Sequence, residues 1–260
     1  MERTLQSLSK LFSARIFRIP DYQRGYAWKE RHVRDFWSDI ERLEENRNHY
    51  VGVITLEDVP AHVVDRWSTD SWLVKSRRFD PFYIVDGQQR LTTAILLIWS
   101  IIKALGRKKR ATKICFQSVP EIVNDYIYTS KDGGLTRSYI FGYEIDNPSY
   151  EYLKREIFEE PSSSDFDIQE TVYTQNLQAA LKFFSSKLRR ASVARLESLY
   201  DKVTQRLMFN TFRITSDIDV HITFETMNNR GKQLSTLELL KNRLIFLTMS
   251  IKGKREQKRR

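Results

Sequence analysis

The stretch Phe82-Tyr-Ile-Val-Asp-Gly-Gln-Gln-Arg-Leu-Thr-Thr93 decides how this chain is read. Phe82 to Val85 is a short aromatic and β-branched run, the pattern of a buried strand, and Gly87 punctuates it. From Gln89 to about Leu105 the apolar density, with no glycine or proline, predicts a helix that Gly106 ends. A strand that enters a glycine turn and restarts as a helix leaves first-turn amides beside the positive end of the helix dipole. Such a place attracts phosphate. Gly87 lets the backbone come close to a ligand, Arg90 suits paired hydrogen bonds to phosphate oxygens, and Asp86 suits magnesium, directly or through water. Gln88 and Gln89 add neutral donors and acceptors. The same residues would equally make an ordinary strand-to-helix turn with Arg90 in a salt bridge.

Upstream lies Ile19-Pro-Asp-Tyr-Gln-Arg-Gly-Tyr-Ala-Trp28. Tyr22, Tyr26 and Trp28 are interleaved with Arg24, and Pro20 stiffens the entry. Aromatic faces beside a guanidinium suit a base or a nucleic-acid backbone, by stacking together with phosphate pairing. The bland alternative is that Tyr22 and Trp28 cap the core beneath a loop. Downstream, Phe224-Glu-Thr-Met-Asn-Asn-Arg-Gly-Lys-Gln-Leu-Ser235 places Asn228, Arg230 and Gly231 between two expected helices. Glu225 lies one helical turn before Asn228, so carboxylate and amide share a face fit for a metal or a water. Read alone, this segment is a helical hairpin with an Asn/Gly cap.

The elements around these segments follow from periodicity. Thr4 to Ala14, with Leu5, Leu8, Leu11 and Phe12, predicts a short amphipathic helix, and Arg15 to Pro20 a strand. Glu30 to Asn46 carries Val33, Phe36, Trp37, Ile40 and Leu43 at helical spacing. Tyr50 to Leu56 predicts a strand, and Glu57 to Arg78 an irregular polar stretch anchored by Trp67 and Trp72. Lys113 to Val119 and Leu207 to Ile214 read as strands, Gln169 to Leu188 and Ser192 to Thr204 as helices. Ser216–Asp219 and Ser235–Glu238 match capping boxes, which predicts helices over about 217–228 and 236–250. The alternation Ile218, Val220, Ile222, Phe224 leaves a strand open for the first. The expected fold is α+β: a small mixed sheet with helices over 1–115, a mostly helical region over 116–250, and a basic tail over 251–260.

Composition narrows the function classes. A hydrophobic fraction of 41% with 12% aromatics excludes a disordered chain. One cysteine, Cys115, excludes an internal disulfide and a cysteine-rich zinc site, and His32, His49, His62 and His221 form no paired metal motif. With no basic-then-apolar start and no apolar run long enough to span a bilayer, a soluble cytoplasmic protein is expected, with no membrane partner. The net charge of +10 is half terminal, because the last nine residues hold six basic groups and one acid. A second acid-free run over 103–113 includes Lys108, Lys109 and Arg110. Both runs suit a polyanion such as DNA, or simply a solvated helix end and tail.

Taken in this order, the three segments resemble the N-terminal domain family of GmrSD-type restriction endonucleases, in the ParB/sulfiredoxin-like superfamily. The matching pieces are Ile19-Pro-x-Tyr-Gln-Arg-x-Tyr-x-Trp28, Gly52 on its strand, Val85 to Thr93, and Phe224-Glu-x-x-Asn-x-x-Gly231 with Leu234, Leu239, Leu240 and Lys241. The resemblance implies a domain that binds and hydrolyses a nucleoside triphosphate with magnesium, senses modified phage DNA and controls a nuclease. On that reading Asp86, Gln88, Gln89, Arg90 and Glu225 carry catalysis, with Asp86 on the metal. Gly87, Gln23, Arg24, Asn228, Arg230, Gly231 and Lys241 hold the nucleotide. Tyr22, Tyr26, Trp28, Lys108, Lys109 and Arg110 meet DNA.

Two departures qualify the resemblance. Glu238 stands where the family usually has aspartate, a change that keeps the capping chemistry. No histidine-asparagine-histidine arrangement of an HNH nuclease is visible, so the nuclease is expected on another segment or polypeptide. A homo-oligomer stays open. Two rivals remain: a nucleotide-independent DNA adaptor that recruits a nuclease, and a nuclease acting through Asp86, Glu57 and Asp58.

Overall fold

The computed structural model describes residues 4–108, 113–161 and 170–214. The chain opens with strand β1 (Thr4–Ser7) and helix α1 (Leu8–Phe12), where one helix was expected from Thr4 to Ala14. The Ser7 hydroxyl accepts from the Lys10 amide and starts the helix there, while residues 4–7 pair with a strand two hundred residues away. Sheet pairing overrides the local helical period, and Leu5 is left half exposed.

Strand β2 (Arg15–Ile19) stops at Pro20, which has no amide to give a ladder. After a loop comes α2 (Glu30–Arg42), burying Val33, Phe36, Trp37 and Ile40 on one stripe, then β3 (His49–Asp58). The stretch expected to be irregular holds two short helices, α3 (Ala61–Val64) and α4 (Ser71–Arg77). Their anchors are the expected ones: Trp67 Nε1 donates to Glu144 at 3.3 Å and Trp72 Nε1 to Ser138 Oγ at 2.7 Å.

Strand β4 (Asp80–Asp86) leads into α5 (Gln88–Gly106), which is buried all round, as its uninterrupted apolar sequence requires. The strand expected over Lys113–Val119 is a tight hairpin, β5 (Lys113–Ile114) and β6 (Gln117–Ser118). Cys115 and Phe116 both take positive φ and turn the chain back.

Next come α6 (Val119–Tyr126), the hairpin β7 (Tyr128–Lys131) and β8 (Thr136–Tyr139), then β9 (Phe141–Tyr143). Helix α7 (Tyr150–Tyr152) runs into a wider turn over Leu153–Ile157. The two expected helices follow as α8 (Val172–Leu188) and α9 (Val193–Asp201), and β10 (Leu207–Ile214) ends the described chain.

The main sheet has the order β1-β10-β3-β4-β2-β9 and mixes parallel with antiparallel pairs, an α+β architecture. β9 and β10 lie beyond residue 115, so strands from both sides of that point build one sheet. α5 packs beside α6, α8 and α9 in a single hydrophobic core. Its first turn stands at the end of β4, between β3 and the loop after β2.

Candidate functional site

Gly87 makes the junction. Its φ of 90° is left-handed, and a Cβ there would stand 2.3 Å from Ile54 Cδ1 and 3.1 Å from the Val53 carbonyl oxygen. Only glycine passes this close to β3 in that conformation. As the cap of α5 it brings no side-chain oxygen to the first-turn amides, unlike a serine or aspartate cap.

Arg90 lies back along β3. Its Nη1 donates to the Val51 carbonyl at 3.2 Å and its Nη2 to the Val53 carbonyl at 2.9 Å, with Asp86 Oδ2 at 3.5 Å. The register explains why the Val51 carbonyl is open. Met208 pairs with Tyr50 but Phe209 pairs with Gly52, so Val51 is the extra residue of a bulge and leaves the ladder. Gly52 has φ +133°, and a Cβ on it would fall 1.9 Å from Arg90 Nη1. The glycine makes the groove in which the guanidinium lies. Both members of the Asp86–Arg90 pair keep part of their surface in solvent.

A second bulge mirrors the first. Thr55 pairs with Asp86 and Leu56 with Ile84, which leaves Val85 out of the ladder. Gln23 fills the gap: its Nε2 donates to Val85 at 2.6 Å and to Ile84 at 2.9 Å. Gln89 holds the other half of the same loop. Its Oε1 accepts from the Ala27 amide at 2.7 Å and the Trp28 amide at 3.3 Å, and its Nε2 donates to Gly25 at 3.2 Å. Asn147 and Asn176 donate to the carbonyls of Gln23 and Tyr26. A Cβ on Gly25 would stand 2.6 Å from Ser149 Oγ. Loop 20–29 is thus pinned along its length to the start of α5, because buried backbone polar groups must find partners.

The structure therefore brings Asp86 to Arg90 together with Gln23 and Tyr26, but in roles other than ligand contact for several of them. Gln23 is 2% exposed and staples backbone. Tyr26, expected at a DNA surface, is fully buried with its hydroxyl on Thr93 Oγ1 at 2.7 Å, and no face is left for stacking. The oxygens Gln23 Oε1 and Gln88 Oε1 are both buried and have no hydrogen-bond partner among the described residues. Arg24 is half buried in the same loop.

The three aromatics of the loop part company. Tyr22 is nearly buried beside acids: burial raises its phenol above the usual range, and Glu57 and Asp21 raise it further. Burial also holds the Glu57 and Glu144 carboxyls above their ordinary value. Phosphate is disfavoured on that side. Trp28 faces the opposite way, stacked on His32 with centroids 6.0 Å apart, and edge-on to Phe36.

Trp28 lines a cleft of about 280 Å³ between α2 and β3, whose wall includes Arg90. Asp35, Asp39 and His49 also line it, with His49 Nε2 3.8 Å from Asp39 Oδ2. Sequence reading missed these residues. The spacing of His32, Asp35 and Asp39 marks one stripe of α2, but nothing local says that the stripe faces Arg90. Among the described residues no three His, Cys, Asp or Glu side chains converge as a metal site.

Lys108 stands at the far end of α5, roughly 28 Å from Asp86 at about 1.5 Å per residue. It is not part of this junction. Lys109, Arg110, Glu225, Asn228, Arg230, Gly231 and Lys241 lie outside the described residues, as do the helices expected over 217–228 and 236–250. No helix among the described residues is long and apolar enough to cross a membrane.

No curated protein matches the sequence. The family model for the GmrSD restriction endonuclease, N-terminal domain, matches residues 8–245, nearly the whole chain and every element from α1 to β10. That family ties the chain to a restriction system acting on DNA. With the glycine turn, the Asp86–Arg90 pair and the aromatic loop in one place, and with this match across them, the chain belongs to the GmrSD restriction endonuclease N-terminal domain family.

Proposed function

We propose that this domain binds and hydrolyses a nucleoside triphosphate at the β4–α5 turn, senses modified DNA through loop 20–29, and controls a nuclease held elsewhere. The observation that carries the reading is the turn itself. First-turn amides without a side-chain cap stand beside a partly exposed aspartate–arginine pair, and Arg90 is preset by β3. Amides and a fixed guanidinium suit the spread negative charge of a phosphoryl group in transfer, and preset donors need no reorganisation as that charge develops.

Magnesium is commonly held by one or two carboxylates together with substrate phosphates and water. Asp86 beside an open phosphate turn fits that set, with Glu225 as the candidate second carboxylate, and the ion would neutralise charge on the phosphates. Asp86 also stays within reach of Arg90, so the pair can orient water and phosphate from one side. Loop 20–29 is bound to this turn by Gln23 and Gln89, which gives DNA contact on the loop a short route to the nucleotide. Arg24 is the loop residue offered for DNA, since Tyr26 is internal, Tyr22 sits among acids and Trp28 lines the cleft between α2 and β3.

Phosphate release by wild type, Asp86→Ala and Arg90→Ala tests the assignment. Loss in both variants is expected, and equal rates in all three would remove the site. One observation favours a second reading: Arg90 and Gln89 are engaged in holding backbone, as a rigid adaptor without nucleotide would require. In that case no triphosphate with magnesium would shift the melting temperature.

A further inference from the structure

The cleft between α2 and β3 shares Arg90 with the phosphate turn, and its other lining residues have no ligand assigned to them. We infer that it is a nucleobase site that selects guanine, and this rests on the proposal that a nucleoside triphosphate binds at the β4–α5 turn. Its volume of about 280 Å³ lies just below the usual range of ligand pockets, roughly 300 to 1,000 Å³. A base fits within that space. Arg90 belongs both to the cleft wall and to the phosphate turn, so one ligand can span the two. From His49 to Val53 along β3 is roughly 13 Å at about 3.3 Å per residue, the scale of an extended nucleotide.

The lining states what kind of base. Trp28 and Phe36 supply an apolar aromatic wall for a ring. Asp35 and Asp39 stand one helical turn apart on the same face of α2, and both line the cleft while remaining exposed. Asp35 has no ion pair among the described residues, and Asp39 has only His49, at 3.8 Å. Ionised carboxylates accept and cannot donate. Guanine presents two adjacent donors, N1–H and the N2 amino group, to such acceptors. Adenine, cytosine and uracil each set a ring nitrogen or carbonyl acceptor next to their donor, and a carboxylate meets it with repulsion.

Calorimetric titration of the full chain with the magnesium complexes of GTP, ITP, ATP and UTP tests this. A good two-point contact to a base discriminates by about 1–3 kcal/mol, or roughly 5- to 150-fold. GTP is expected to bind at least about tenfold more tightly than ATP or UTP, with ITP, which lacks the 2-amino group, between them. Asp35→Asn and Asp39→Asn should narrow the gap while leaving the melting temperature unchanged, since both side chains are exposed. Equal affinity for all four, lost in Asp86→Ala, would overturn guanine selection and keep the triphosphate site. No binding of any of the four would overturn both.

Discussion

Arg90 Nη1 occupies the space that a side chain on residue 52 would need: a Cβ on Gly52 would stand 1.9 Å from it. Two residues from different parts of the chain are thereby matched, a missing side chain on β3 and a guanidinium from the first turn of α5. The bulge at Val51 completes the fit by turning a carbonyl out of the ladder toward Arg90.

Gly52→Ala should therefore act on Arg90. The new methyl group expels the guanidinium and strains a backbone at φ +133°, at a cost of about 1–3 kcal/mol for the strain alone. Chemical denaturation of Gly52→Ala, Arg90→Ala and the double variant checks it. The effects should fall well short of additive, because each change removes the same contact. Additive losses would mean that the two residues act independently.

Gln89→Leu should loosen the aromatic loop without unfolding the protein. The change deprives the Ala27 and Trp28 amides and the Gly25 carbonyl of their partner, and about 1–3 kcal/mol is expected per buried group left unpaired. Limited proteolysis should show faster cleavage within 20–29. Gln89→Glu keeps the acceptor for the two amides and should recover part of the protection.

Glu57 gives a pH prediction whose sign is fixed by its environment. Burial, then Asp58, raises its carboxyl above the usual value of 4.5, so between the unfolded and folded pKa the native state binds more protons. Stability from this group is then greatest at low pH and falls as pH rises through that window. Glu57→Gln should melt at a higher temperature than wild type at pH 7, and the difference should vanish below the ordinary carboxylate range. A constant difference at every pH would point to packing instead.

Much of this site can be read from local sequence because its core is local. A β-branched run, one glycine and a long apolar stretch sit within twenty-five residues, and they form β4, Gly87 and α5 as expected. What stays hidden depends on partners far along the chain. Gln23 and Gln89 look like ligand groups until their acceptors and donors, some sixty residues away, are seen to be backbone. β1 reads as helix because its partner β10 lies two hundred residues on. Tyr22, Tyr26 and Trp28 share one short loop yet end in an acidic edge, the core and a cleft, since a loop without a repeating period does not announce which way each side chain turns. The acids of α2 look like a solvated face until β3 and Arg90 close the cleft opposite them.

The central claim is that the β4–α5 turn holds the phosphates of a nucleoside triphosphate. Its most direct measurement is the binding of magnesium GTP to the full chain by titration calorimetry, in wild type, Asp86→Ala and Arg90→Ala, with circular dichroism confirming that all three are folded. Saturable binding by wild type and a loss of at least about tenfold in each variant is the predicted result; unchanged affinity in both folded variants would contradict it.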